Sequence, residues 1–192
     1  MLKIVRKMGQ LPFSDLMRVY AEENLALGRR RWPREPQPRQ LALAEEDFRE
    51  YLETVFFRQE GALYALWLRE DFFRQAGAIY AIWASDGRYV SALRLEPYRD
   101  GLLLEALATA PGQRRKGYAG ALIRAVQEML LSQGPVRLYA HVAKHNTPSL
   151  RTHSACGFQK IQDSAVYIDG SADSRSVTLL FEYPKNISNF GK

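Results

Sequence analysis

The residues of this 192-residue chain that most directly suggest chemistry lie in one run, PGQRRKGYAG, from Pro111 to Gly120. An apolar run, Leu102 to Ala110, precedes it and a helical pattern starting at Tyr118 follows, so it reads as a strand, a short basic turn and a helix. A helix N-terminus leaves several backbone N–H groups without intrahelical acceptors and carries the positive end of the helix dipole. Phosphate is the natural guest of such a site. Gly117 and Ala119 leave room for a pyrophosphate to approach the backbone, and Arg114, Arg115 and Lys116 supply charge around it. Taken alone, the same ten residues equally describe an ordinary loop with a solvated basic face, because short glycine motifs match often by chance. His141 and His145 make no grouping with a cysteine or carboxylate at metal-ligand spacing, so no metal is expected.

Composition limits what such a site can serve. Hydrophobic residues make up 46% and charged residues 25% of the chain, as in a soluble globular protein, and one domain over residues 1–192 is expected. The longest apolar run is Ala62 to Leu68, far below the roughly 20 residues of a membrane span. The N-terminal MLKIVRKMGQ has no signal-peptide apolar region, so a cytoplasmic location and no membrane partner are expected. The single cysteine, Cys156, excludes an intramolecular disulfide. A net charge of +6, concentrated in Arg29 to Arg39 and Arg114 to Lys116, favours an anionic partner. Nucleic acid and a polyphosphate cofactor both qualify. The absence of a recognisable RNA-binding string or zinc spacing makes the cofactor the simpler reading and puts nucleic acid last.

The elements that must position the motif follow from periodicity. Met1 to Met8 can form a first strand, and Ser14 to Leu27 a helix capped by Ser14 and ended by Gly28. Arg29 to Gln40 holds three prolines and five arginines and reads as an irregular exposed loop, either a connector or a substrate-side lid using Trp32. Ala44 to Gln59 carries Phe48, Tyr51, Leu52, Val55 and Phe56 at helical spacing.

An internal repeat follows at an offset of 16 residues. FFRQEGALYALWL from Phe56 is echoed by FFRQAGAIYAIWA from Phe72, with nine of thirteen positions identical. It reads as a local tandem duplication, residues 56–68 and 72–84. The second copy, with Ile79 and Ile82 for Leu63 and Leu66, predicts a strand, Gly77 to Ala84, in a hairpin with Arg88 to Glu96 across Ser85–Asp86–Gly87. The first copy slightly favours a prolonged second helix past Gly61.

A turn at Arg99 to Gly101 then introduces the strand Leu102 to Thr109, and an amphipathic helix from Tyr118 ends near Gly134 and Pro135. Val136 to Ala143 is the next strand. A short helix runs from Asn146 or Thr147 to Gly157, Phe158 to Ile168 and Val177 to Tyr183 close the chain as strands, and PKNISNFGK is a loose tail.

This order, with its motifs at matching places, resembles the GNAT superfamily of acyl-CoA-dependent N-acetyltransferases. The family's phosphate-binding pattern (Arg or Gln, two residues, Gly, one residue, Gly or Ala) matches Arg114, Gly117 and Ala119. Its second signature matches NTPSLRTHSACGF, with Asn146 and Ser149 ahead of Gly157 and Phe158. The resemblance is specific from Tyr89 to Ile168 and topological before that. It implies a single α/β (α+β) domain with a mixed, mostly antiparallel sheet of six to seven strands flanked by about four helices.

The resemblance also implies acetyl-CoA as acyl donor. The backbone of Leu107, Ala108 and Thr109 would pair with the pantetheine arm, and Arg114, Arg115, Lys116, Gly117, Tyr118, Ala119 and Gly120 would cradle the pyrophosphate. Asn146 would contact the pantetheine or align the thioester. Where many members carry the tyrosine that protonates the leaving thiolate, this chain has His153. It reads either as that acid or as a buried helix residue with a satisfied ring. Glu105 lies where some members place a general base, and reads equally as a solvent-facing strand carboxylate. The function implied is acetyl transfer to a primary amine of a small molecule or peptide by direct attack. A CoA-binding module with weak chemistry and a ribosome- or RNA-associated protein are the alternatives, and the duplicated segment could form a homodimer interface.

Overall fold

The computed structural model describes residues 2–75 and 79–184. In chain order the elements are β1 (Leu2–Val5), α1 (Phe13–Val19), α2 (Ala21–Arg31), α3 (Gln37–Thr54), β2 (Leu63–Gln75), β3 (Ile79–Tyr98), β4 (Gly101–Thr109), α4 (Tyr118–Leu131), β5 (Val136–Ala143), α5 (Thr147–Ala155), β6 (Gln159–Gln162), β7 (Ala165–Val166), β8 (Ala172–Asp173) and β9 (Ser176–Tyr183). Seven strands form one sheet in the order β1-β2-β3-β4-β5-β9-β6, and β7 and β8 form a small separate hairpin. Among the described strands only β4 and β5 run parallel, and they pair from Leu102 opposite Leu138 to Leu104 opposite Ala140. Beyond Leu104 they part, which opens the middle of the sheet.

Both faces of the sheet are covered. On one, Leu122, Ile123 and Val126 of α4 meet Leu93, Leu95, Leu104, Leu138 and Val142. Each of those three α4 side chains is fully buried and contributes about 1.5–3 kcal/mol of apolar burial. On the other face, Leu16, Met17, Val19 and Leu52 pack on Tyr64, Tyr89, Ala92 and Ala108. The apolar stripe of α4 therefore fixes which way its N-terminus points, and α5 is held at its own ends. Asn146 caps it through Ser149 N–H (3.2 Å). Gly157, with φ +85, ends it by donating to Ser154 while Phe158 N–H reaches the His153 carbonyl, a left-handed cap that suits glycine.

The mixed sheet and the turn at Arg99 to Gly101 follow the expectation, but the first half departs from it. The single helix over Ser14 to Leu27 is two helices broken at Tyr20, because that side chain dives to the sheet, where its hydroxyl donates to the Ala106 carbonyl at 2.6 Å. Among the described residues there are thus five α-helices, where about four were expected. Pro12, not Ser14, caps the first. Gly28 does not end a helix; it is buried inside α2 because an added Cβ would lie 2.5 Å from the Gln40 carbonyl oxygen of α3.

The stretch Arg29 to Gln40 is mostly helical. Arg29 to Arg31 finish α2, and α3 starts at Gln37 with Pro38 in its first turn, where proline loses no helical hydrogen bond. The expected last strand pair is also broken, Phe158 to Ile168 into β6 and β7.

Of the readings of the duplicated segment, the strand in the second copy holds from Ile79 on, within β3, while the helix of the first copy and the hairpin do not. The first copy forms a 3-10 turn, Phe56–Arg58, and then strand β2 instead of prolonging a helix, because β1 and β3 flank it on both sides. The hairpin across Ser85–Asp86–Gly87 is replaced by one long strand, β3, with Gln75 opposite Ile79. Gly77 and the tail beyond Pro184 lie outside the described residues.

Candidate active site

The opening of the sheet is made by a one-residue bulge. Arg94 pairs with Glu105 and Ala92 with Ala108, so Leu93 of β3 faces both Ala106 and Leu107 of β4. Ala106 holds φ +48, and its carbonyl is fixed by Tyr20, whose hydroxyl in turn accepts from Tyr64 at 2.6 Å. Leu107 therefore has no register partner of its own on β3, and on its other side β5 has already diverged. A ligand's amide groups can pair with this strand in the manner of an added strand.

From the end of β4 the chain turns into α4 with Arg115 at φ +61 and Gly117 at φ +82. Among the described residues, the amides of Arg115 through Gly120 donate to no protein acceptor; the first bond of the helix runs from Ala121 to Gly117. Left-handed residues of this kind gather successive N–H groups into a concave anion site, here backed by the helix dipole. A Cβ on Gly117 would meet open space, but at strained φ.

A cleft of about 560 Å³ joins these features, lined by Leu107, Ala108, Thr109, Arg114, Arg115, Gly117, Tyr118, Ala119, Gly120 and Asn146 from the expected set. Lys116 is the member of that set that does not line the cleft; its Nζ donates to Gln113 Oε1 at 3.0 Å. Arg114 lies at the rim, tied to Glu22 (2.7 Å) and Glu23 (3.6 Å) of α2 and to the Thr109 carbonyl (3.2 Å). Glu23, Gln113, Pro148, Ser149 and Thr152 also line the cleft.

Leu107, Asn146 and Ser149 are shared with an adjoining cavity of about 200 Å³ that contains Glu105, His141 and His153. Glu105 is not a free surface carboxylate. Its side chain is 23% exposed and pairs with Arg94 at 3.3 Å. Arg94 also approaches Glu96 at 3.8 Å and lies over the rings of Tyr51 and Phe56. Glu96 accepts from Tyr51 and Gln59 at 3.1 and 3.0 Å. Burial raises the Glu105 pKa; Arg94 opposes the rise and Glu96 adds to it. Burial likewise pushes Tyr51 up to about 12.

His153 is 2% exposed. Its Nδ1 lies 2.9 Å from the Ser149 carbonyl oxygen, which can only accept, so Nδ1 carries the proton. Among the described residues Nε2 has no partner, and burial lowers the pKa of the ring, which favours its neutral form. Such a ring has a lone pair to offer at Nε2 and no spare proton to give.

His141 stands edge-on between Tyr98 and Tyr167 with both ring nitrogens buried and, among the described residues, without partners. Arg94, Glu96, Tyr51 and Tyr20 belong to no sequence motif. An arginine and a carboxylate two apart on one strand face are the only hint that a buried ion network was coming.

Residues 22–158 match the model of the Acetyltransferase (GNAT) family. No curated protein matches the sequence. Among solved structures, the PaiA N-acetyltransferase from Thermoplasma acidophilum in complex with coenzyme A superposes with TM-score 0.56 at 12% identity, covering 95% of this chain and 99% of that one. The IAA acetyltransferase from Bacillus cereus ATCC 14579 gives TM-score 0.51 at 15% identity, covering 95% and 98%. These likenesses are of fold. The matched span runs from α2 through the bulged strand and the free amides of α4 to Phe158, and by that match the chain belongs to the GNAT family of acetyltransferases.

Proposed function

We propose that residues 1–192 form one domain that transfers an acetyl group from acetyl-CoA to a primary amine by direct attack. The observation that carries this is the run of six free amides, Arg115 to Gly120, at the mouth of the cleft in the split sheet. It is a preformed anion site joined to an unpaired strand, which is what a pyrophosphate followed by an amide-bearing arm requires. Acetyl-CoA would supply the activated acyl group and the thiol leaving group.

The chain's own residues do the rest. The amides hold the phosphates, and the unpaired backbone at Leu107 orients the arm. The side-chain amide of Asn146, whose oxygen is spent on the α5 cap, offers its N–H groups. Glu105, with a pKa raised by burial and a place in the adjoining cavity, accepts the proton of the amine directly or through water. Positioning supplies much of the acceleration. The acceptor is a small-molecule or peptide amine.

Calorimetry with acetyl-CoA, followed by thiol release with a panel of amines, tests this reading. Absence of binding at tens of micromolar together with absence of thiol release would sink it. The neutral, tied ring of His153 favours a second reading, a CoA-binding module without efficient chemistry. Binding with no turnover across the panel would support that reading, and a His153→Phe variant that lost turnover alone would count against it.

A further inference from the structure

The tandem copies fall in β2 and β3, and the register of these strands is unusual. β1 pairs with β2 only from Tyr64 to Trp67, and β4 pairs with β3 only from Ser91 to Tyr98. Past these limits, Leu68 to Gln75 and Ile79 to Tyr89 stand as a two-stranded ribbon outside the sheet. Two strands without a third are marginal in water. Within the ribbon, Ala84 to Gly87 oppose Glu70 alone, since Arg69 pairs with Arg88 and Asp71 with Trp83. A strong turn signal, Ser85–Asp86–Gly87, is thereby spent as a bulge.

We infer that the two copies are interchangeable occupants of one strand position, so that the chain has two registers 16 residues apart. The first copy puts Phe56, Ala62, Leu63 and Tyr64 into the core, each less than 9% exposed. The second copy carries Phe72, Ala78, Ile79 and Tyr80 at the same offsets. Three of the four are identical, and the fourth is a leucine-to-isoleucine change that conserves volume.

Shifted by 16, Tyr80 takes the place of Tyr64 opposite Val5 and Arg94, where its hydroxyl would meet that of Tyr20 as Tyr64 now does. Ala84 then opposes Tyr89, and Ser85 to Arg88 become a four-residue hairpin loop with Asp86–Gly87 at its centre. Residues 56–71 leave the sheet as a longer connection from α3, whose closure cost rises only with the logarithm of its length. The exchange gives up the marginal ribbon and gains a tight turn, while β1, the Tyr89–Tyr98 part of β3 and the cleft stay in place.

Proline at the centre of the slot separates one register from two, because it cannot donate to a ladder flanked on both sides. The full chain is compared as Tyr64→Pro, Tyr80→Pro and the double variant by thermal unfolding followed in the near-ultraviolet. With interchangeable copies, each single variant keeps a cooperative transition and the double variant loses it. Loss of the transition in Tyr64→Pro alone overturns the inference. A trap independent of proline uses Leu66→Cys, Ile82→Cys and Ala92→Cys together with Cys156→Ser, refolded in a glutathione buffer and mapped by peptide mass. Leu66 now faces Ala92, and Ile82 would face it after the shift. Both the 66–92 and the 82–92 disulfides are expected; either one alone overturns the inference.

Discussion

At the N-terminus of α4 the groups offered to a ligand are main-chain amides of six neighbouring residues, whereas around Glu105 they are side chains drawn from α3, the turn after it, β3 and β4. The first site depends on the path of the chain and on the few residues that permit it. The second depends on every partner in a buried network, where losing one leaves the others unpaired. The two regions should therefore fail differently under substitution.

The largest effect is expected at Arg94. Arg94→Met keeps much of the packing against Tyr51 and Phe56 but leaves buried Glu96 and partly buried Glu105 as neighbouring carboxylates without their cation. Breaking a buried pair in this way costs about 3–5 kcal/mol, to be read by chemical denaturation. The pH dependence has a definite sign. Burial already raises Glu105 and Arg94 pulls it down, so removing Arg94 raises it further. The carboxylate that takes the proton is lost as pH falls through that raised value, and the acid limb of kcat/KM should move to higher pH. A limb that stays in place would remove Glu105 from the role of base.

The same contrast explains what could be read in advance. The anion site was legible because Arg114 to Gly120 is contiguous and its geometry follows from glycine, a turn and a helix start. The caps of α5 were legible for the same reason. The first half was not. Gly28 looked like a helix end because glycine's backbone freedom is local, while its actual use, close contact with Gln40, is tertiary. Pro36 and Pro38 looked like breakers although they sit at the start of α3, where proline is tolerated. The Leu- and Ala-rich first copy favoured helix until β1 and β3 flanked it. Arg94 and Glu96 belong to no motif, and only the sheet register brings Glu105 opposite them.

Main-chain dependence makes the second prediction. Gly117→Val puts a β-branched residue at φ +82, which only a rearranged turn can accept. Acetyl-CoA affinity should fall about 100-fold or more, a loss of about 2.7 kcal/mol. Arg115→Ala removes one charge from the rim and leaves the amides, so about tenfold or less is expected. Calorimetry on both variants decides the comparison. Equal losses would mean that side-chain charge, and not the amide cradle, holds the phosphates.

Tyr20 links the two regions, because the bulge that frees Leu107 also sets Glu105 in its cavity. Tyr20→Phe leaves the Ala106 carbonyl without its donor and the Tyr64 hydroxyl without its acceptor. A stability loss of about 1–3 kcal/mol is expected from unsatisfied buried groups. KM for acetyl-CoA and the amine should rise together. A change in KM for only one of them would show that the bulge serves only one side.

The smallest effect is expected at the rim, where Arg114 is held by Glu22 and Glu23 in exposed pairs. Glu23 lines the cleft, so an incoming phosphate meets a carboxylate and an arginine already engaged. Exposed pairs of this kind are worth about 0–1 kcal/mol, which limits the gain from removing them. Glu22→Gln with Glu23→Gln frees Arg114 and removes two negative charges beside the cleft. Acetyl-CoA should bind about threefold more tightly at low salt, and the gain should shrink as ionic strength shortens the Debye length to about 8 Å. Weaker binding in the double variant would show that the two acids hold Arg114 where the ligand needs it. The rim would then act as part of the cradle and not as a brake on it.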